Sequence, residues 1–149
     1  MRIGIGADHA GWGDKERLVK LLESKGHEVV DFGTTSEEPV DYPDFAVKVA
    51  RAVAEGRCDE GILVCGTGVG MSMAANKVPG IRAAAVQCVE AARFSRTHND
   101  ANVLCVGSRV SSPELIRQIV ETWLGSVFEG GRHQQRVDKI KAMDKRGTC

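Results

Sequence analysis

Apolar residues recur with two periods in strict alternation along this chain, and that alternation leaves few folds open to it. Short, largely apolar runs, several of them β-branched, occur at Ile3–Ala7, Glu28–Phe32, Ile62–Val64, Ile81–Val86 and Ala101–Val106, each with the length and makeup of a strand. Helical spacing takes over between them. Asp14–Lys25 carries Leu18, Leu21 and Leu22 on one face, and a helix capped by Asp44 carries Phe45, Ala46, Val49, Ala50 and Val53. Shorter helices are expected at Met71–Asn76 and Glu90–Thr97. After the fifth strand, Ser111 and Glu114 form a capping box with Pro113 in the first turn. The helix it opens shows Leu115, Ile116, Ile119, Val120, Trp123 and Leu124 to the core. A final basic helix runs from about residue 133 to Lys145. Strand alternating with helix five times predicts an α/β fold, a parallel sheet with helices on both faces. The 149 residues suit one domain spanning 1–149.

Charge and cysteine usage remove several function classes. Lys plus Arg and Asp plus Glu each number 20, for a formal net charge of zero. That argues against a nucleic-acid binder driven by bulk charge. No apolar run approaches a bilayer span, so no membrane partner is expected. Met1-Arg2-Ile3-Gly4 leads straight into a strand, without the pattern of a signal peptide. The five cysteines, Cys58, Cys65, Cys88, Cys105 and Cys149, form no C-x-x-C pair. This is the usage of a reduced, cytoplasmic protein. His9, His27, His98 and His133 have no metal-ligand spacing among themselves or with the cysteines, so no metal is expected.

The stretch Gly61–Lys77, GILVCGTGVGMSMAANK, carries the strongest local signal. It reads as strand, tight turn and helix start, with Cys65 at the turn and Gly66, Gly68 and Gly70 within it. Glycines so placed let backbone N–H groups approach a ligand with no Cβ in the way. A turn that opens a helix this way is an anion site. A thiol facing such a turn loses its proton more easily and becomes a candidate base or nucleophile. The plainer reading makes Cys65 a small core residue at a strand end. The glycine density favours the first reading. The G-x-G-x-G spacing fits neither a dinucleotide fingerprint nor a P-loop.

Ligands of parallel sheets bind outside the carboxyl ends of the strands. Asp8-His9, Cys65-Gly66-Thr67 and Gly107-Ser108-Arg109 follow three strands, and His98-Asn99-Asp100 precedes the fifth. The expectation is that all four groups meet at one edge. Each has a simpler role available: Asp8 as a helix cap, His9 as a surface residue, His98 at a helix C-terminus. Arg132, Arg136 and Lys139 share a helix face that could be merely solvated, but Gly130-Gly131 places a loose turn beside two guanidiniums suited to phosphate.

Taken in order, GADHAG at 6–11, DYPDFA at 41–46, CGTGVGMSMAANK at 65–77, PGIRAA at 79–84, HNDANVL at 98–104, GSRV at 107–110 and EGGRHQQRV at 129–137 resemble type B ribose-5-phosphate isomerase, of the family that also holds galactose- and allose-6-phosphate isomerases. The resemblance spans nearly the whole chain. It implies a Rossmann-like sheet in the order 2-1-3-5-4, a homodimer sometimes paired into a tetramer, a site at the subunit interface and no cofactor. It implies a phosphosugar substrate, Cys65 as the base acting through a cis-enediolate, and His98 in ring opening. In part of the family a glutamate just after the loop glycines is the base; Met71 stands there in this chain. Substrate contacts carry over to Asp8, His9, Gly66, Thr67, Gly68, Val69, Gly70, Asn99, Arg109, Arg132 and Arg136. Gly11-Trp12-Gly13 departs from the expected regular helix start.

Elementary chemistry agrees with that reading. Exchanging an aldose and a ketose needs one base that moves a proton between C2 and C1, and donors for the developing enediolate oxygen. Cys65 fits the first need; the Gly66–Gly70 amides and the Thr67 hydroxyl fit the second. A closed sugar ring needs an acid/base group for opening, which His98 supplies, with Asp8 as helper. Rival readings are a hexose-6-phosphate isomerase of the same family, a phosphosugar-binding protein without catalysis, and a cysteine hydrolase. The C-terminal helix has a thin apolar face of Val137, Ile140 and Met143. It is therefore expected to lean on the dimer partner and to help complete a phosphate pocket there.

Overall fold

A computed structural model describes residues 1–144. Eleven elements follow in order: β1 (Arg2–Ala7), α1 (Trp12–Ser24), β2 (Glu28–Asp31), α2 (Tyr42–Ala54), β3 (Glu60–Cys65), α3 (Val69–Ala75), β4 (Ala83–Ala85), α4 (Val89–Thr97), β5 (Val103–Gly107), α5 (Pro113–Leu124) and α6 (Arg132–Met143). The sheet order is β2-β1-β3-β5-β4, as the resemblance implied, and every pairing is parallel. The expected end of the last helix at Lys145 lies outside the described residues.

Successive strand residues point to opposite faces, and two cores result. On one face Ile3, Ile5, Ile62, Val64, Leu104 and Val106 pack under Leu18 and Leu22 of α1 and Ile116, Ile119, Val120 and Trp123 of α5. On the other, Leu63, Cys65, Val103 and Cys105 pack under α2 and α3. Each large side chain so buried contributes roughly 1.5–3 kcal/mol. The three central strands β1, β3 and β5 are buried on both faces, while the edge strands β2 and β4 are half-buried or exposed.

Several local expectations shift. The helix read as capped by Asp44 begins earlier, at Tyr42, with Asp41 in the N-cap position and no side-chain cap bond. Pro43 fits there because the first turn has no use for its missing N–H. Ser112, not Ser111, caps α5, accepting from the Leu115 N–H at 3.1 Å. Ser111 is buried instead, and its hydroxyl has no partner among the described residues. Ser112 has the extended backbone that turns its side-chain oxygen back to the helix. Strand β4 shrinks to Ala83–Ala85 and the third helix starts at Val69.

α6 has only His133 and Val137 buried; Ile140 and Met143 are exposed. At its end the Gly80 N–H donates to Asp144 Oδ2 at 2.8 Å. No described helix is long and apolar enough to cross a membrane.

Candidate active site

Four loop ends at the carboxyl edge close around one cavity of about 400 Å³, lined by Asp8, Tyr42, Cys65, Gly66, Thr67, Val69, Gly70, Met73 and Arg109. Adjacent strands hold these loops in register. The Asp8 N–H donates to the Val64 carbonyl at 3.2 Å, Ser108 N–H to Cys65 O at 2.8 Å, and Arg109 N–H to Gly66 O at 2.9 Å. The turns after β1, β3 and β5 are thereby tied by backbone bonds, independent of any side chain.

Cys65 ends β3 and is 5% exposed, and the Gly68 N–H donates to Sγ at 3.1 Å. Gly68 takes φ +79°, a left-handed conformation that costs other residues energy and that turns its N–H back to the sulfur. Val69 N–H donates to Thr67 Oγ1 at 3.3 Å, so the Thr67 hydroxyl keeps its proton for a ligand. The Gly70 and Met71 N–H groups sit in the first turn of α3, where helix geometry leaves them without internal acceptors. A Cβ on Gly70 would lie 2.5 Å from the Tyr42 ring, so glycine is what lets tyrosine close over the loop.

Asp8 is buried, and its Oδ1 accepts from the Gly11 N–H at 3.0 Å. It holds the turn before α1, whose N-cap position is Gly11. The expected irregularity at Gly11-Trp12-Gly13 is therefore slight. His9 accepts at Nδ1 from the Val40 N–H at 3.1 Å, which leaves Nε2 to carry the proton of the neutral ring. The Arg109 guanidinium lies over Gly66. Below Cys65, on the same face, burial pushes the Cys105 thiol upward, and negative charge on Cys65 would push it further. Cys105 is thus an inert core thiol, while Cys65 opens to the cavity.

One chain does not bring His98 to Cys65. A segment between a helix and the next parallel strand lies at the amino edge of the sheet, and His98-Asn99 precedes β5. Arg96 in the last turn of α4 pairs at 2.7 Å with Glu60, the first residue of β3. This corrects the expectation of a single convergent edge. His98 stacks between Phe94 and His133, with ring centroids 4.7 and 4.2 Å away. The same contact places the start of α6, with Arg132 and Arg136, at the amino edge; both arginines are exposed. Loss of hydration, then the charges of His98, Arg132 and Arg136, hold His133 below the usual histidine range.

Among the described residues one donor group could hold a metal: His98, Glu129 and His133, with ligand atoms within 4.8 Å of one another. The two imidazole planes lie face to face, 11° apart, so their in-plane lone pairs run side by side and do not converge on one ion.

Tyr42 also lines the cavity, a residue outside those the sequence pattern marks as site residues. Its motif, DYPDFA, was visible; its reach over Gly70 depends on how α2 packs.

The model of the Ribose/Galactose Isomerase family matches residues 3–140. Ribose-5-phosphate isomerase B of Escherichia coli (strain K12) is 53% identical over 145 residues, covering 97% of each chain. The structure of Clostridium thermocellum ribose-5-phosphate isomerase B superposes with a TM-score of 0.98 at 54% identity, covering 99% of this chain and 100% of that one. Ribose-5-phosphate isomerase B from Mycoplasma genitalium, solved with bound ribulose-5-phosphate, gives a TM-score of 0.94 at 45% identity over 97% of this chain and 96% of that one. Read with the cavity at Cys65, these matches place the chain in the ribose/galactose isomerase family.

Proposed function

We propose that this protein is an aldose–ketose isomerase that interconverts ribose-5-phosphate and ribulose-5-phosphate. The observation that carries the reading is a strand-end cysteine whose sulfur faces both a backbone N–H and a polar cavity. A thiolate there takes the proton from C2 and returns it to C1, and the Gly68 N–H supports its negative charge. The enediolate oxygen receives hydrogen bonds from the free first-turn amides and from the Thr67 hydroxyl. Val69 and Gly70 shape that wall. His98 opens the sugar ring, with Asp8 as helper. Acid–base chemistry suffices for every step. The relatives' printed names and the ribulose-5-phosphate bound to one of them support this substrate.

His98, Asn99, Arg132 and Arg136 reach the reaction from a second copy of the chain. Each copy presents Cys65 at one edge and these four residues at the other, so a two-fold dimer sets the amino edge of one protomer against the carboxyl edge of its partner. Domain 1–149 then acts as one isomerase unit whose α6 lies at the interface. Asn99 binds sugar hydroxyls, and Arg132, Arg136, Arg109 and His9 hold the phosphate. The compartment is the cytoplasm, where the free thiols Cys58, Cys65, Cys88 and Cys105 stay reduced.

A coupled assay comparing ribose-5-phosphate, allose-6-phosphate and galactose-6-phosphate tests the reading. The highest kcat/KM is expected for ribose-5-phosphate. Faster turnover of a hexose phosphate, or turnover of none, would overturn it.

A further inference from the structure

We infer that Arg82 is a positioning residue for ring opening, holding the backbone corner from which His98 and Asn99 project. The inference rests on the role proposed above for His98. Arg82 Nε donates to the carbonyls of Asn99 at 3.3 Å and Asp100 at 2.9 Å, and Nη2 donates to the Asp100 carbonyl at 2.7 Å and to Asp100 Oδ2 at 3.1 Å. Its own N–H donates to Asn102 Oδ1 at 2.8 Å, and the Asn102 N–H returns a bond to the Arg82 carbonyl at 3.1 Å. One side chain thus binds two successive carbonyls and the carboxylate between His98 and β5.

The corner needs such a hold. Asp100 has φ +48° and is the single non-glycine with positive φ among the described residues. A side chain with a Cβ keeps that conformation only where its surroundings over-determine it. Arg96 acts from the other side, donating to the Ala101 carbonyl and pairing with Glu60. The Arg82 side chain is 13% exposed, so its bonds are largely shielded from water. A planar fork holds two carbonyls and a carboxylate oxygen in one fixed plane from two nitrogens; an ammonium offers its donors from a single point on a flexible stem. The chain leaves His98 through the peptide planes that Arg82 grips; these planes aim the Asn99 amide and hold the backbone next to His98, whose ring is stacked between Phe94 and His133.

Two readouts on the full-length protein separate positioning from general structure. One is conversion of ribose-5-phosphate, which needs ring opening. The other is deuterium wash-in at C1 of ribulose-5-phosphate in D2O, which needs only proton transfer at Cys65. Arg82→Gln is expected to slow conversion about tenfold or more, in line with the cost of a small misplacement of a catalytic group. At saturating ribulose-5-phosphate, where any weaker grip by Asn99 is overcome, wash-in is expected to stay within about threefold of the parent, because the proton-transfer edge is untouched. Arg82→Lys should fall between parent and Arg82→Gln in conversion. If Arg82→Gln does not fold, the same two readouts on Arg82→Lys decide. Conversion unchanged, or wash-in falling in step with conversion, overturns the inference. His98→Asn separates the two levels. If it loses conversion while Arg82→Gln does not, only the role of Arg82 falls. If it keeps conversion, ring opening does not depend on His98, and both fall.

Discussion

At the carboxyl edge, Cys65, Asp8 and Thr67 stand on turns bound to one another by backbone hydrogen bonds between adjacent strands. At the amino edge, His98 and Asn99 stand just before a left-handed corner at Asp100 held by the side chains of Arg82 and Arg96, while Arg132 and Arg136 extend from a helix with two buried residues. The first group is already arranged around one cavity, whereas in the second only Asn99 lines a cavity, shared with Arg82, Ile140 and Met143, and Arg132 and Arg136 are exposed. Cys65 and its amide donors are built on the sheet itself, where strand register sets them. His98, Asn99, Arg132 and Arg136 lie where a second copy could meet them. A rigid proton-transfer site costs no reorganisation when the reaction occurs.

The largest effect should come from the carboxyl edge alone. Cys65→Ala removes the proposed base and should lower isomerisation by roughly 10²–10⁴-fold, the usual worth of general acid–base catalysis. Phosphosugar binding, followed by calorimetry, should persist. Near-normal turnover would show that the two edges do not divide the work in this way.

Mixing subunits tests the division directly. Cys65→Ala and His98→Asn homodimers should each be nearly inactive. Random reassortment should restore about one quarter of parental activity, since half the dimers are mixed and each holds one intact site. No recovery in proven heterodimers would place both groups in one chain's site.

Arg136→Ala should raise KM by about 10- to 150-fold, equivalent to the roughly 1.5–3 kcal/mol of a hydrogen bond to a charged group. The value of kcat should hold if phosphate is gripped equally in ground and transition states. Inhibition by inorganic phosphate should weaken in parallel. A loss confined to kcat would move Arg136 from binding to chemistry.

The smallest effect concerns pH. His133 holds a proton less readily in the fold than in the unfolded chain. Its contribution to stability is therefore full above the ordinary histidine pKa of about 6.5 and is lost as pH falls through the lower folded value. His133→Gln should shrink the difference in Tm between about pH 7.5 and about pH 5.5. An unchanged difference would assign the acid sensitivity to other groups.

Residues differ in how plainly the sequence announces them. The glycine loop was legible because each feature is local: a strand end, three glycines and a thiol within six positions. Ser112 was missed in favour of Ser111 because the choice turns on backbone angles one residue apart. Tyr42 was missed because its partner, Gly70, is far along the chain. The edge occupied by His98 was misread although the order of elements implied it: a segment entering a parallel strand lies opposite one leaving a strand.

By itself, the sequence determined the five-strand alternation, the two buried faces and the cysteine at a glycine turn, because periodicity and turn chemistry act over a few residues. Tertiary structure alone decided that Tyr42 covers Gly70, that Arg82 grips the Asn99–Asp100 corner, and that Cys105 is sealed beneath Cys65. Those relations join residues far apart in the chain, and only the packing of helices on a twisted sheet brings them within reach.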